Sequence, residues 1–224
     1  MHWSKAFLLL LLLSSTTIWS QTKREQLLEA ATQWGYKEDF AAAVRCYDTL
    51  LALYPNEPTA YFDRGLAKAY ARDYKGSLAD FSQQIKLDST VADYYFLRGI
   101  SRDSLQQHQA AIADYTKAIQ LEPANSDAYY LRGRNKMALK QFAAAEKDFT
   151  LAIQKRFDNA NAYADRAALK LRKKQYRLAM QDCIQALSYD SLLPQAKKIK
   201  ALALVQLQHK KVNQKGKHKP LAKK

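Results

Sequence analysis

The stretch that decides the fold is residues 92–125, ADYYFLRGISRDSLQQHQAAIADYTKAIQLEPAN, the clearest copy of a unit that recurs at a fixed spacing along the chain. Five columns keep this spacing through four units: Tyr61, Tyr95, Tyr129 and Tyr163; Arg64, Arg98, Arg132 and Arg166; Gly65, Gly99, Gly133 and Ala167; Ser77, Ala111, Ala145 and Ala179; and Asp80, Asp114, Asp148 and Asp182. A fixed period of about 34 residues predicts a repeat array, in which each unit buries its apolar face against its neighbours.

The repeated unit resembles the tetratricopeptide repeat (TPR), a repeat of two helices. In the central unit the residues that carry the resemblance are aromatics, small residues and a proline: Tyr95, Gly99, Ala111, Tyr115, Ala118 and Pro123. The resemblance covers roughly residues 24–190 and implies an all-α, right-handed solenoid of helix-turn-helix repeats. It implies a fold more than a function, because one fold hosts many unrelated activities.

We expect five repeats, a capping helix and a tail. The repeat array spans residues 24–192, and its units fall at about 24–57, 58–91, 92–125, 126–159 and 160–193. Residues 193–209 are expected to form an amphipathic helix that starts at Pro194 and covers the last repeat with Ala196, Ile199, Ala203 and Leu207. Residues 210–224 carry seven Lys and no apolar periodicity, which favours a disordered tail.

The first 20 residues have the layout of a secretory signal peptide. Lys5 precedes an apolar run, Phe7–Leu13, and a polar stretch follows it. We place cleavage between Ser20 and Gln21, which predicts a secreted, periplasmic or cell-envelope protein. The alternative is an uncleaved membrane anchor, but the run is shorter than the ~20 apolar residues that span a bilayer.

The formal charge of +15 is concentrated at the end of the chain, because ten Lys and no acidic residue follow Asp190. This tail is either a solvated segment or an attachment to an anionic partner. For an exported protein the anionic partner is an envelope polymer or a lipid surface. For a protein that is not exported, nucleic acid becomes plausible, with binding that depends steeply on salt.

Arg and Asp residues recur together at positions that pack between helices. In each unit the Arg precedes the Asp by the same interval, which pairs Arg64 with Asp80, Arg98 with Asp114, Arg132 with Asp148 and Arg166 with Asp182. The first repeat has Ala30 and Cys46 at these places, so both charges are missing together. We therefore favour pairing within a repeat over pairing between repeats, in which Asp80 would meet Arg98. A structural salt-bridge ladder is favoured over a ligand-binding stripe, because unpaired charges between packed helices are costly.

By the resemblance, the first helix of each repeat lines a concave groove that binds a peptide or a helix of another protein. The groove residues that this implies are Phe62, Leu66, Tyr70, Phe96, Ile100, Tyr130, Arg134 and Arg172. The alternative is that Phe62, Phe96 and Tyr130 pack between neighbouring first helices. TPR domains that clamp the carboxyl terminus of chaperones use a Lys/Asn/Arg set. This chain has Leu28, Thr32 and Asp63 at such positions, which disfavours that ligand.

Catalysis has little support in the sequence. His108 is the one histidine inside the array, where neighbouring units have Tyr74 and Phe142, so it is interpreted as part of the core. Cys46 and Cys183 lie about four repeats apart, too far for a disulfide. We predict a non-catalytic interaction scaffold without a cofactor, a metal or a small-molecule substrate.

Overall fold

The computed structural model describes residues 22–217 of the 224-residue chain, and side-chain burial for residues 22–210. The chain divides into two compact units, Met1–Gln107 (unit 1) and His108–Lys224 (unit 2). The predicted signal peptide at 1–20, its cleavage site at Ser20 and Gln21, and residues 218–224 of the tail lie outside the described residues. Among the helices of 22–217, none combines the length and the apolar character that a membrane span requires.

Residues 22–217 form helices joined by turns and contain no strand. Unit 1 contains α1 (22–36), α2 (Phe40–Leu53), α3 (Ala60–Tyr70), α4 (Tyr74–Leu87) and α5 (Ala92–Ser104). Unit 2 contains α6 (His108–Leu121), α7 (Ser126–Ala138), α8 (Phe142–Lys155), α9 (Ala160–Arg172), α10 (Tyr176–Tyr189) and α11 (Pro194–Lys217). Within each unit, consecutive helices pack as helix-turn-helix pairs. The predicted all-α class is thereby confirmed.

Small residues let the two helices of a repeat approach each other. A Cβ atom added at Gly65 would lie 3.0 Å from Phe81 Cε1, and one added at Gly133 would lie 2.8 Å from Phe149 Cε1. Both phenylalanines are fully buried. The glycines thus admit an aromatic ring from the second helix, and any larger residue would displace it.

The turn inside each repeat contains one residue with a positive φ angle. These residues recur with the period of the repeat: Glu38, Arg72, Gln106, Lys140 and Lys174. None is glycine, although a left-handed conformation costs other residues roughly 1–2 kcal/mol. The helix that follows begins at once, and in the first two repeats the side chains of Asp39 and Asp73 cap it by accepting from Ala42 N and Gly76 N.

Helix α11 covers the last repeat but is longer than the sequence indicates. Ala196, Ile199 and Ala203 are buried against the repeat, in agreement with the expected apolar face. The helix continues to Lys217, beyond the expected end at His209. The extension contains four Lys, and lysine favours helices even without apolar periodicity.

Candidate partner-binding surfaces

Unit 1 contains a cleft of about 540 Å³ between α1, α2 and α3. Two of the predicted groove residues, Leu66 and Tyr70, line it. Three aromatic residues that the sequence did not single out, Tyr36, Phe40 and Tyr47, complete its apolar lining. Of the predicted groove residues in unit 1, Leu66 and Tyr70 therefore share one cleft, while Phe62, Phe96 and Ile100 do not line it.

The aromatic side chains at the rim of the cleft are available for contact. Tyr70 is 67% exposed and Tyr36 is 86% exposed. The Tyr70 ring stacks on Phe40 with a centroid distance of 4.9 Å, which holds it in place at the rim. Rigid, exposed aromatics are enriched where proteins bind partners, because they supply contact area at a small entropic cost.

The cleft is acidic, although the chain is strongly basic. Asp63 and Glu38 line it, and no lining residue is Lys or Arg. Burial raises the pKa of the Asp63 carboxyl group, and the hydrogen bond that it accepts from Thr59 Oγ1 at 3.2 Å opposes this effect. Burial, together with the charge of Asp63, raises the pKa of Tyr47 to about 12. A positively charged group entering the cleft would therefore meet a partly desolvated carboxylate.

Asp63 has no ion pair within residues 22–210. The buried carboxylates of Asp80, Asp148 and Asp182 are instead each paired with an Arg and a Lys. An uncompensated carboxylate at the wall of an open aromatic cleft favours a cationic ligand group.

The remaining predicted groove residues have different environments. Phe62 is half-buried between Phe81 and Tyr94, with centroid distances of 5.9 and 5.3 Å. Tyr130 packs on Phe149, and its hydroxyl donates to Asp165 Oδ2 at 3.2 Å. These two residues therefore lie between neighbouring first helices, which is the alternative that the sequence left open.

The other four members of the predicted set are divided between the units. Phe96 and Ile100 on α5 are half-buried. Arg134 on α7 and Arg172 on α9 are exposed, and the Arg172 guanidinium lies 4.1 Å from the centroid of the Phe142 ring. The predicted set therefore includes both packing residues and surface residues.

The Arg and Asp columns form bidentate ion pairs within single repeats. Arg Nη2 and Asp Oδ1 are 2.7 Å apart in Arg64–Asp80, 2.7 Å in Arg132–Asp148 and 2.8 Å in Arg166–Asp182. In all three pairs Arg Nε also donates to Asp Oδ2 at 2.9 Å. Arg98 belongs to unit 1 and Asp114 to unit 2, and their pairing stays a prediction.

A lysine also binds each of these three carboxylates. This second basic column was not predicted from the sequence. Lys Nζ lies 2.9 Å from Asp Oδ2 in Lys68–Asp80, 2.8 Å in Lys136–Asp148 and 2.6 Å in Lys170–Asp182. The signal was present, since these lysines recur with the period of the repeat and stand one helical turn after each Arg. Each of these buried Asp residues is therefore bound by two cations.

Each Arg also reaches the preceding second helix and a Tyr on its own helix. Its Nη1 donates to a polar side chain 16 residues earlier, which is Asp48 for Arg64, Ser82 for Arg98, Thr116 for Arg132 and Thr150 for Arg166. Its guanidinium lies about 5.5 Å from the ring of the Tyr one turn earlier. Through these contacts, each Arg links its own helix to the second helix of the preceding repeat.

The histidine and the two cysteines that were considered for catalysis lie among packed helices. His108 is partly buried, and its Nδ1 lies 2.8 Å from Asn135 Oδ1. Cys46 and Cys183 are free thiols, and burial raises the pKa of Cys183 to about 11, which makes it a poor nucleophile. Within the described part of the chain, no group of three or more His, Cys, Asp or Glu is placed to bind a metal.

Two family models described as tetratricopeptide repeat match the sequence. One matches residues 36–102, and the other matches residues 92–125 and 126–158, so together they span more than half of the chain. No curated protein matches the sequence significantly.

Solved structures resemble the fold at low sequence identity. The crystal structure of the MamA protein is 21% identical, with a TM-score of 0.70, and the match covers 75% of this chain and 92% of that one. YrrB, a TPR protein with an unusual peptide-binding site, is 17% identical with a TM-score of 0.70, over 84% of this chain and 97% of that one. A tetratricopeptide repeat protein from Parabacteroides merdae is 17% identical with a TM-score of 0.72, over 83% of this chain and 74% of that one.

Proposed function

The chain belongs to the tetratricopeptide repeat family, and from this premise we propose that it is a non-catalytic scaffold that binds a segment of another protein in the cleft of unit 1. The observation that carries this proposal is the cleft itself. It combines exposed aromatics, Tyr36 and Tyr70, with an uncompensated, partly buried carboxylate, Asp63. YrrB, which has a similar fold and a peptide-binding site, supports the general mode of binding.

The chemistry of the cleft favours a segment with Lys or Arg next to an apolar residue. The cation would lie near Asp63 and against the faces of Tyr36 and Tyr70, where cation–π attraction adds to the ion pair. The apolar residue would cover Leu66. Carboxyl-terminal recognition is disfavoured, because the lining offers no positive charge to a carboxylate.

A selection from a random library of short peptides tests this proposal. We expect peptides that bind the full chain to be enriched in Lys or Arg beside an aromatic or aliphatic residue. Their binding should weaken about tenfold or more with Tyr70→Ala or Asp63→Asn, because each change removes a central contact.

Phe157→Ala is the matched control for Tyr70→Ala. Phe157 is 70% exposed, which is close to Tyr70, but it lies in unit 2 outside the cleft. Enrichment of acidic peptides, or equal loss of binding with Phe157→Ala and Tyr70→Ala, would contradict the proposal.

Export is a separate proposal, supported by the layout of residues 1–20. Intact-mass measurement of the protein from separate cell fractions tests it. A chain that starts at Gln21 in an extracytoplasmic fraction is the expected result. A chain that still starts at Met1 in the cytosol would contradict export, and the lysine-rich tail should then be tested against nucleic acid.

A further inference from the structure

Helix α11 packs on the fifth repeat in the way that a first helix of a repeat packs on its predecessor. Ala128, Ala162 and Ala196 stand at equivalent positions of successive units, and all three are fully buried. Ile199 of α11 packs against Ala167 and Cys183 of the last repeat. Helix α11 is therefore equivalent to the first helix of a sixth repeat, both in its packing and in the spacing of its buried residues along the sequence.

The face of α11 that a second helix would cover is open. Ala201 is exposed. Its equivalents in the two preceding repeats, Gly133 and Ala167, are buried beneath α8 and α10. Lys200 is exposed as well, and it stands at the position of Arg166, which is bound to Asp182. Lys200 has no ion pair within residues 22–210.

A groove of about 770 Å³ lies beside this face, between α10 and α11. Tyr176, Met180, Leu204 and Leu207 give it an apolar floor. Lys174, Arg177 and Lys210 line it as well, and none of the lining residues is acidic. The groove is thus suited to an amphipathic helix that carries negative charge.

We propose that this groove binds an acidic amphipathic helix of a partner protein, which packs on α11 as α10 packs on α9. The molecule contains the template for this contact. In the fifth repeat, α10 presents Asp182 to Arg166 on α9, and the next residue, Cys183, packs on Ala167. The partner helix presents a carboxylate to Lys200, followed by a small residue over Ala201, because Ala201 has a Cβ that a large ring would meet.

The charge of the groove favours a partner protein over this chain as the occupant. Helix α11 contains five Lys between residues 197 and 211 and no acidic residue, so a second α11 would bring like charges together. Residues 218–224, HKPLAKK, also contain no Asp or Glu. Neither segment supplies the carboxylate that Lys200 calls for.

The probe for this proposal is a peptide with the sequence of α10, YRLAMQDCIQALSY, in which Arg177→Glu makes the net charge negative. It is made with a lactam bridge so that it is helical in isolation, and its binding to the full chain is measured by fluorescence anisotropy under reducing conditions. We expect saturable binding that weakens about tenfold or more when the protein carries Lys200→Glu or the peptide carries Asp182→Lys. Combining the two charge reversals should restore most of the affinity.

The control is Lys198→Glu, which changes an exposed lysine of α11 that, unlike Lys200, does not share a helix face with the groove residues Leu204 and Leu207. It should leave the affinity for the peptide unchanged, and circular dichroism should show that both variants fold. Tyr70→Ala in unit 1 should also have no effect, so this proposal and the proposed cleft can fail independently.

Three results would overturn the proposal. The helical peptide does not bind in a saturable way; the double charge reversal binds no better than the single ones; or light scattering finds a dimer that Leu204→Asp dissociates. The last result would assign the groove to a second copy of the chain.

Discussion

Helices α9 and α11 occupy equivalent places in successive repeats. Within residues 22–217, however, only α9 is covered by a second helix of its own repeat. On α9, Arg166 is bound to Asp182 and Ala167 is buried. On α11, the equivalent Lys200 and Ala201 are exposed. The same columns of a repeat therefore build a core where a second helix covers them, and they form an open face on α11, where the described residues include no such helix. Substitutions at equivalent positions can test this difference.

The largest expected effect on stability is that of Asp148→Ala, in a repeat whose first helix is covered by its second. It leaves Arg132 and Lys136 without their carboxylate between packed helices, which should cost about 3–5 kcal/mol of unfolding free energy. Lys200→Ala on the open helix should change stability by less than about 0.5 kcal/mol. Urea denaturation of the two variants measures both. Similar losses for the two variants would remove the distinction between covered and open faces.

A double variant of the covered pair sharpens this result. Arg132→Ala with Asp148→Ala should be less destabilising than the sum of the two single changes, because Asp148→Ala leaves Arg132 without its carboxylate and Arg132→Ala leaves Asp148 with Lys136 as its one cation. Additive losses would mean that the bidentate pair contributes no coupling.

The next effect is steric. Gly133→Leu should destabilise the protein by about 1–3 kcal/mol, because a Cβ added at this position would lie 2.8 Å from Phe149 Cε1. Ala201→Leu should be tolerated within about 0.5 kcal/mol, because Ala201 is exposed. Thermal unfolding of the two leucine variants compares them, and a large loss with Ala201→Leu would show that α11 is covered in solution.

A smaller effect separates burial from distance. Arg156–Asp127 has an Nη2–Oδ1 distance of 2.8 Å, close to the 2.7 Å of Arg132–Asp148, but its side chains are 49% and 47% exposed. Arg156→Ala should therefore cost at most about 1 kcal/mol, because water screens the exposed pair. The same denaturation experiment measures it, and a loss as large as that of Asp148→Ala would contradict the role of burial.

The smallest expected effect concerns Asp63, a carboxylate that differs from Asp148 in having no ion pair among the described residues. Its folded-state pKa is raised by burial, so protonation stabilises the fold at low pH, and this contribution is lost as pH rises through the folded pKa. At neutral pH, Asp63→Asn should be more stable than the parent chain by less than about 1 kcal/mol, after allowance for solvent screening.

Measuring the unfolding of both proteins from acidic to neutral pH tests this sign. The advantage of the Asn variant should shrink as the pH falls. An advantage that grows at low pH would mean that Asp63 has a cationic partner in the free protein.

Much of the fold could be predicted because the repeat period is long and strict. Residue types that recur in successive units, such as Gly65 and Asp80, had to serve one packing role in every unit. The Lys68, Lys136 and Lys170 column obeyed the same rule and was overlooked, since lysine is common on exposed helix faces. The turn residues with positive φ were harder to find, because Arg72 and Lys140 stand where glycine is the usual signal.

The candidate sites were less predictable than the fold. Leu66 and Tyr70 were named in advance and line the cleft, but Phe62 and Tyr130, from the same predicted set, pack between helices. Sequence spacing gives the face of a helix and not the neighbour that covers it. Tyr36 and Phe40 belong to the cleft only because α1 and α2 meet there.

The sequence by itself determined the repeat, the all-α class and the residues that recur in it, because a periodic chain must pack the same side chains in every unit. The tertiary structure decided which of those positions are satisfied. Among the described residues, Asp63 is left without a cation in unit 1. In unit 2, Lys200 and Ala201 are exposed, whereas their equivalents Arg166 and Ala167 are paired and buried. Burial depends on which helix lies opposite, and this is set by the packing of neighbouring repeats rather than by the sequence of any one repeat.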